Sequence, residues 1–307
     1  MNEKPCLLCR STRLKRLGEK LDQTYFICEA CGLVIGSALW EPRGALEAGG
    51  MYDAGYLARS GAMHPRTTAR YHEILDYIET RMGAGRRMVE VGFGNGQFLL
   101  AARERGWDVL GVEINRAACD HIGQSLGIAT MCGSFEEVSV APGSMDLVAS
   151  METIEHLYDP ASFVQRSREV LKSGGIIFLT TPNAACLTRD LIGMDWRGYY
   201  RGHTLLFTAR RLERFLVDQG FEVIRMETRT ILPGTVINTW KSRLRGRGRF
   251  DAGGKPNLPG NIRLSDAQDL RDRVEANPAL RWSKAVLNGI LNATRKGEKT
   301  LIWARKP

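Results

Sequence analysis

The sequence predicts an α/β fold with a doubly wound, mostly parallel seven-stranded sheet, preceded by a small N-terminal ribbon. From residue 86 onward, short apolar runs alternate with segments of helical periodicity, which is the pattern of parallel strands covered by helices. A glycine-rich loop, residues 92–96, joins the first of these strands to a helix. Two C-x2-C pairs lie within the first 31 residues and indicate a separate metal-binding unit.

The elements follow in chain order. Apolar residues recur at helical spacing from Tyr71 to Met82, which predicts a helix there. Asn115 and Thr208 are placed to cap two of the later helices. Strands are predicted at residues 88–91, 109–113, 128–132, 145–150, 176–180, 221–228 and 299–304, and helices at 98–105, 117–124, 160–171 and 211–219. The alternation stops between 229 and 297, where a basic helix is predicted at 236–244.

This pattern divides the chain of 307 residues into three parts. They are a zinc ribbon at 1–36, a Gly- and Tyr-rich linker or cover at 37–65, and a catalytic domain at 66–307 with an insertion at 230–297. Hydrophobic residues make up 43% and charged residues 25%, an ordinary globular composition that excludes disorder throughout.

The net charge of +9 is unevenly distributed. Residues 1–22 carry a net +3 and residues 229–256 a net +6, and the rest of the chain is neutral. A polyanionic partner would therefore meet these two segments. The amphipathic, basic segment 236–249 makes peripheral contact with an anionic membrane one option. The sequence shows neither a span of the required length nor a signal peptide, so we expect a cytoplasmic location. It leaves the oligomeric state open.

The four N-terminal cysteines have the spacing of a structural zinc site. Two C-x2-C turns, Cys6 with Cys9 and Cys28 with Cys31, supply four thiolates to one tetrahedral Zn²⁺. Four protein ligands leave no open position, so the metal would be structural. Cys119, Cys132 and Cys186 are scattered along the chain and do not complete a disulfide framework.

The spacing of the glycine loop and the acidic residues near it indicate which kind of ligand the loop binds. Gly92, Gly94 and Gly96 follow Glu90 with the spacing G-x-G-x-G, which differs from the G-x-G-x-x-G of dinucleotide-binding folds. A carboxylate just before the loop suits a ligand with an ammonium group. Glu113 ends the next strand, where it can accept hydrogen bonds from two ribose hydroxyls.

With these features the sequence resembles the class I S-adenosylmethionine-dependent methyltransferases over about residues 66–230 and the final strand. The block 150–157, S-M-E-T-I-E-H-L, resembles the family segment after the fourth strand, and 174–183 resembles the fifth-strand region. The resemblance implies S-adenosylmethionine as the cofactor. It implies the following cofactor contacts: Glu90, Gly92, Gly94 and Gly96 for the methionine part, Glu113 for the ribose, Ser134 and Phe135 for the adenine, and Met151 and Glu152 after the fourth strand.

The N-terminal ribbon narrows the resemblance to enzymes of sugar, polysaccharide and natural-product pathways. The expected reaction is methyl transfer to a small-molecule or glycan acceptor, with a sugar hydroxyl favoured. Carbon methylation is disfavoured, because the sugar C-methyltransferases usually carry a further large C-terminal domain. The alternative is a ribosomal RNA base methyltransferase, since some of these also join a zinc ribbon to this fold. A third interpretation is a binding module that keeps this fold but has lost catalytic activity.

Two histidines are the candidate catalytic residues. His156 lies just past the fourth strand, and His203 lies in an R-G-H-T-L-L-F-T segment that resembles a family segment bordering the active site. A hydroxyl acceptor needs a base, and histidine suits this role at neutral pH. Each histidine could instead have only a structural role. The aromatic loop before His203, with Trp196, Tyr199 and Tyr200, either covers the acceptor or anchors the chain.

Overall fold

A computed structural model describes residues 4–41, 65–231, 233–244 and 277–307. Most of the predicted linker and part of the predicted insertion lie outside these ranges. The first unit consists of strands β1 (Leu14–Lys20), β2 (Gln23–Cys28) and β3 (Val34–Gly36), followed by a 3₁₀ turn at Ser37–Trp40. This is the region predicted as the ribbon.

The second unit alternates strands and helices as predicted. Its strands are β4 (Arg87–Val91), β5 (Asp108–Glu113), β6 (Ala129–Cys132), β7 (Met145–Met151), β8 (Leu171–Pro182), β9 (Leu205–Leu206), β10 (Glu222–Arg229) and β11 (Lys299–Arg305). Its helices are α1 (Pro65–Glu79), α2 (Gln97–Glu104), α3 (Arg116–Leu126), α4 (Pro160–Val170), α5 (Leu187–Ile192), α6 (Ala209–Asp218), α7 (Pro233–Leu244) and α8 (Pro278–Thr294), with 3₁₀ turns at Ile154–His156 and Gly193–Asp195.

Two of the predicted caps are present. Asn115 Oδ1 accepts a hydrogen bond from the backbone N–H of Ala118 at 3.0 Å, and Thr208 Oγ1 accepts from the N–H of Arg211 at 3.1 Å. Each cap satisfies one of the backbone donors that a helix N-terminus leaves unpaired. They fix the starts of α3 and α6, two of the helices that follow strand ends.

The large sheet has seven strands in the order β10-β11-β8-β7-β4-β5-β6. Strands β4 to β8 pair in parallel, while β11 pairs antiparallel with both β8 and β10. The prediction of a mostly parallel, doubly wound sheet is confirmed. The chain order reverses between β4 and β7, and ligands of open α/β sheets bind outside the carboxyl ends of the strands at such a switch point.

Both faces of the large sheet are covered, which explains the continuous apolar strands. Successive residues of β7 point to opposite sides: Val148 belongs to one core cluster, and Leu147 and Ala149 belong to the other. In β8, Ile177 and Phe178 divide between the two clusters in the same way. A strand buried on both faces needs apolar residues at every position rather than alternating ones.

The ribbon is joined to the rest of the molecule through β9. The small sheet has the order β1-β2-β3-β9, with Ile35 opposite Leu205 and Val34 opposite Leu206. The sequence did not predict this short strand. The last strand of the ribbon ends at Gly36, and its sheet continues into the segment that immediately precedes α6.

The described part of the predicted insertion packs beside this junction. Arg243 of α7 donates to the carboxylate of Asp195 at 2.6 Å and to the carbonyl of Ile192 at 2.7 Å. In α8, Asn288 and Asn292 accept hydrogen bonds from the backbone of β10. Among the residues that the structure describes, no helix has the length and apolar character needed to cross a membrane.

Candidate active site

The glycine loop after β4 has a conformation that requires its glycines. Gly92, Gly94 and Gly96 have φ values of +74°, +53° and +68°, a left-handed region costly for residues with a Cβ. A Cβ at Gly92 would lie 2.3 Å from Thr153 Oγ1, and one at Gly96 would lie 2.8 Å from Ile122 Cδ1. The loop is thus packed tightly against the segment after β7 and against α3.

Glu113 is positioned by the same loop. Its Oε2 accepts a hydrogen bond from the N–H of Gly94 at 3.2 Å, and its Oε1 accepts from the N–H of Asn115 at 3.1 Å. A carboxylate has about four lone-pair sites, so two of them remain for hydroxyl donors. The half-buried side chain is held by backbone on both sides, which is an arrangement suited to a ribose diol.

Glu90 lies beneath the loop and is almost fully buried. Its Oε2 has no hydrogen-bond partner among the described residues, and burial raises the pKa of this carboxyl well above its usual value. A buried, unpaired carboxyl oxygen is costly. An ammonium group bound at the loop would compensate for that cost, so Glu90 fits the predicted cofactor.

The predicted adenine contacts are placed differently from each other. Ser134, on the turn after β6, donates to the carboxylate of Glu136. Phe135 is buried in the core with its ring centroid 5.9 Å from that of Phe163. A contact between Phe135 and adenine would therefore come from its backbone. Met151 ends β7 and packs half-buried against the core.

Glu152 follows β7 with a left-handed backbone, φ +54°. Its carboxylate lies 2.9 Å from Lys299 Nζ and accepts a hydrogen bond from Thr180 Oγ1 at 2.9 Å. Burial alone would raise the pKa of Glu152, but the Lys299 ammonium and the Thr180 hydroxyl hold it below its usual range. Glu152 is thus an ionised group at the carboxyl end of β7.

The structure brings His156 and His203 together, although they lie 47 residues apart in the chain. Their ring centroids are 4.8 Å apart and their planes are inclined by 69°. The Nδ1 of His156 lies 2.8 Å from the carbonyl oxygen of Gly202, and the Nδ1 of His203 lies 2.9 Å from that of Gly198. A carbonyl only accepts, so Nδ1 carries the proton in each ring.

Burial keeps both imidazoles neutral. It lowers the pKa of His156 to about 4, with a further contribution from His203, and it lowers the pKa of His203 as well. With Nδ1 as the donor, Nε2 of each neutral ring is the atom with the lone pair. The pair therefore offers two acceptor nitrogens at the switch point of the sheet.

Three further residues lie at this site, of which the sequence had indicated only Tyr200, in the aromatic loop. Glu155 is fully buried and its Oε2 accepts from Thr181 Oγ1 at 2.9 Å. Lys299 comes from β11 and reaches Glu152 because β11 pairs with β8, Lys299 opposite Pro182. Tyr200, which is 42% exposed, lies with its ring centroid 5.4 Å from that of His203. The E-x-x-E-H spacing could have indicated Glu155. Nothing in the sequence around Lys299 indicated that it belongs to the site.

The aromatic loop before His203 is mainly an anchor. Trp196 is fully buried and donates from Nε1 to Glu298 at 2.7 Å, and Tyr199 is buried against it. The ribbon holds the same loop. Lys20 Nζ donates to the carbonyl of Trp196 at 2.6 Å, and the hydroxyl of Tyr25 donates to the carbonyl of Tyr200 at 2.8 Å. The position of His203 therefore depends on the ribbon.

The four N-terminal cysteines also come together. Their sulfurs all lie within 4.8 Å of one another, with Cys6 Sγ 3.6 Å from Cys31 Sγ and Cys9 Sγ 3.5 Å from Cys28 Sγ. Sulfurs bound to one Zn²⁺ at ~2.3 Å lie about 3.8 Å apart in a tetrahedron. The arrangement fits the predicted metal site.

A doubly wound sheet of this strand order, with a glycine loop after its first parallel strand and an acid at the end of the next, defines the class I S-adenosylmethionine-dependent methyltransferase fold. A family described as "Methyltransferase domain" matches residues 63–226, which is just over half of the chain. The chain belongs to this family.

Comparisons with individual proteins agree with this assignment. A ubiquinone biosynthesis O-methyltransferase of Ralstonia nicotianae is 34% identical over 141 residues, covering 41% of this chain and 58% of that protein. One of Methylococcus capsulatus is 37% identical over 157 residues, covering 47% and 66%. The chain thus spans less than two thirds of the length of these relatives. The structure of a SAM-dependent methyltransferase from Archaeoglobus fulgidus has a TM-score of 0.50 at 17% identity, over 78% of this chain and 92% of that one, which shows the fold.

Proposed function

We propose that this protein transfers the methyl group of S-adenosylmethionine to a hydroxyl oxygen of a small-molecule or glycan acceptor. The observation that supports it most is that the glycine loop and the histidine pair lie at one switch point. The loop follows β4, and the pair is reached from the adjacent β7. Ser150 Oγ of β7 donates to the carbonyl of Val91, just before the loop, at 2.9 Å.

Bound S-adenosylmethionine would supply an electrophilic methyl group on a sulfonium sulfur. The Glu90 carboxylate would pair with the ammonium group of the cofactor, and Glu113 would accept hydrogen bonds from the ribose hydroxyls. The loop at residues 92–96 would contact the cofactor through its backbone alone. The neutral Nε2 atoms of His156 and His203 are oriented to accept a hydrogen bond from an acceptor hydroxyl. Fixed orientation of the two reactants contributes much of the rate in such a transfer.

Oxygen is the preferred acceptor atom in this proposal because the relatives named above are O-methyltransferases. A sugar hydroxyl is the preferred subclass, supported by Tyr200. Its partly exposed ring stands beside His203, and an aromatic ring can stack against the apolar face of a sugar. A screen of nucleotide sugars, glycans, phenols and RNA, scored by release of S-adenosylhomocysteine, tests the assignment. Turnover on RNA alone would reject it.

The RNA alternative gains little support from the charged segments. Within the basic N-terminal run, Lys20 is bound to the carbonyl of Trp196 and Arg16 pairs with Glu19 at 2.5 Å. In α7, Arg243 is bound to Asp195. Basic side chains that already form hydrogen bonds or ion pairs within the chain are less available to bind phosphates. RNA binding would show as a steep fall of affinity with salt concentration.

We also propose that the four cysteines hold a structural zinc ion. The sulfur separations support it, and four ligands leave no open position for catalysis. Reduced thiols suit the cytoplasmic location that the sequence predicts. Zinc analysis of purified protein should find one equivalent for this site, and much less than one equivalent would refute the proposal.

A third proposal concerns α7 as a peripheral membrane contact. Ile237, Trp240 and Leu244 are exposed apolar residues, and the exposed Lys241 lies beside them; residues 245–249 of the predicted segment fall outside the described residues. Apolar residues next to basic ones suit an anionic lipid surface. Flotation with vesicles containing anionic lipid should carry the protein upward at low salt, and loss of this in a Trp240→Glu variant would support the contact. An absence of binding at every salt concentration excludes it.

A further inference from the structure

Three side chains around the histidine pair form a second candidate metal site. The ligand atoms of Glu155, His156 and His203 all lie within 4.8 Å of one another. From this cluster we infer that the site binds a divalent transition-metal ion, which holds and activates the acceptor hydroxyl. The inference rests on the proposed function, since it assigns an agent for activating the acceptor.

The histidines are arranged as metal ligands usually are. A metal-bound imidazole typically donates its other ring N–H to a carbonyl or carboxylate, which fixes the tautomer and the ring plane. Here each Nδ1 meets a backbone carbonyl, at 2.8 Å from Gly202 and 2.9 Å from Gly198. With Nδ1 as the donor in each contact, Nε2 carries the lone pair of each ring and is the atom that can act as a metal ligand.

The carboxylate supplies the second, independent observation. Glu155 is fully buried, its Oε2 is bound by Thr181, and its Oε1 is buried with no hydrogen-bond partner among the described residues. A buried carboxylate oxygen without a donor is expensive. A cation bound between Oε1 and the imidazoles would remove this cost.

The charges around the cluster leave room for a cation. Glu152 beside the cluster is paired with Lys299 at 2.9 Å, so these two charges cancel. Glu155 in the ionised form that a metal ligand requires, together with two neutral imidazoles, then leaves one negative charge in excess. A divalent ion would reverse that balance and stabilise Glu155 in its ionised form.

The ligand set indicates the class of ion. Two imidazoles and one carboxylate suit first-row divalent ions such as Fe²⁺, Mn²⁺, Co²⁺ and Zn²⁺, whereas Mg²⁺ and Ca²⁺ prefer sites made of oxygen ligands. Metal–ligand distances of about 2.0–2.2 Å place ligands of one ion roughly 3.0–3.5 Å apart. Since the ligand atoms lie within 4.8 Å of one another, we expect an ion to draw them together to this geometry. Three protein ligands leave positions open, unlike the four cysteines.

An ion in this position lowers the pKa of a hydroxyl that lies against it. The proton then leaves to solvent, the new oxygen–carbon bond forms, and the carbon–sulfur bond of the cofactor breaks.

Mn²⁺ binding measured by electron paramagnetic resonance tests the inference on the full chain, loaded beforehand with a single equivalent of zinc, which the four thiolates bind in preference to the histidines. Thiolates select softer ions, so Mn²⁺ reports on the histidine site alone. We expect one Mn²⁺ per chain. Glu155→Gln and His203→Ala should each weaken Mn²⁺ binding by more than the about 10- to 100-fold that loss of an outer-shell partner costs. His121→Ala is the matched control, because His121 lies on the exposed side of α3.

S-adenosylmethionine affinity, measured on the same samples by calorimetry, verifies that each variant is folded. Failure of the wild type to bind Mn²⁺, or equal Mn²⁺ binding in Glu155→Gln and His203→Ala, overturns the metal site. If the chelated protein still methylates its acceptor at the full rate, the metal inference falls and the proposed function stands. If the wild type does not bind S-adenosylmethionine, the proposed function falls, and the Mn²⁺ titration still decides whether the metal site exists.

Discussion

Gly92→Ala is the change whose cost can best be worked out from the structure. A left-handed backbone at an alanine costs roughly 1–2 kcal/mol relative to glycine, and φ at Gly92 is +74°. The new Cβ would lie 2.3 Å from Oγ1 and 2.7 Å from Cγ2 of Thr153. Overpacking of this kind costs about 1–3 kcal/mol more. We therefore expect the free energy of unfolding to fall by about 2–5 kcal/mol, measured by urea denaturation.

The same change should reduce cofactor binding. The clash can be relieved only by moving the glycine loop or the segment that begins at Thr153, and both border the cofactor site. A shift costing about 1.4 kcal/mol of binding free energy corresponds to a tenfold weaker affinity. We expect at least that loss for S-adenosylmethionine by calorimetry. Thr153→Ala in the same chain removes both clashing atoms and should restore part of the stability.

Gly106→Ala provides the matched control. Its φ is +84°, and nothing lies within 4 Å of the Cβ that alanine would add. It carries the backbone cost without the clash, so it should lose only about 1–2 kcal/mol of stability and keep its cofactor affinity. If Gly92→Ala behaves like Gly106→Ala in both measurements, the reasoning from the Thr153 contact is wrong.

Further changes have equally defined outcomes. Alanine at both His156 and His203 should lower kcat by about 100-fold or more while the S-adenosylmethionine affinity stays within about twofold; full turnover would refute their role. Glu113→Gln should weaken cofactor binding by about 10- to 100-fold, because hydrogen bonds to a charged group contribute about 1.5–3 kcal/mol. Cys28→Ser should release zinc and raise the acceptor KM, with cofactor affinity unchanged; unaltered zinc content would contradict this. Asn183→Ala should destabilise the protein by at least about 3 kcal/mol in urea, since it removes two donated and two accepted hydrogen bonds.

The sequence predicted the sheet well because its signals are local. Strand β8 contains an uninterrupted apolar run at residues 176–179, and the glycine loop, Asn115 and Thr208 mark element boundaries by residue type alone. It missed β9, a strand of two residues whose existence depends on pairing with β3. It also assigned Phe135 to the cofactor by position, although that side chain fills the core beside Phe163.

The sequence could predict only those residues of the site whose placement follows from a single segment of the chain. Glu90 and Glu113 follow from strand ends, and the E-x-x-E-H spacing places Glu155 and His156 together. Their meeting with His203 and Lys299 depends on long-range contacts. His203 is brought in by a loop of the other half of the fold, and Lys299 arrives through the antiparallel β11. No periodicity or spacing in the chain encodes these distances.

Hydrogen bonds connect the ribbon to the acceptor side of the site, so a zinc ion in the ribbon would also help to hold His203 in place. Strand β9 begins two residues after His203, and the carbonyl of His203 accepts a hydrogen bond from Gln23 Nε2 at 3.2 Å. The N–H of Thr204 donates to the carbonyl of Glu155 at 2.9 Å, while the carbonyl of Thr204 accepts from Gly36 at 2.9 Å. These bonds connect β2 and β3 to two of the three residues of the candidate metal site. Loosening of the ribbon should therefore displace His203 from Glu155 and His156, whereas the glycine loop lies on β4 and has no bond to the ribbon among the described residues. The expected separation between acceptor KM and cofactor affinity in Cys28→Ser follows from this connectivity.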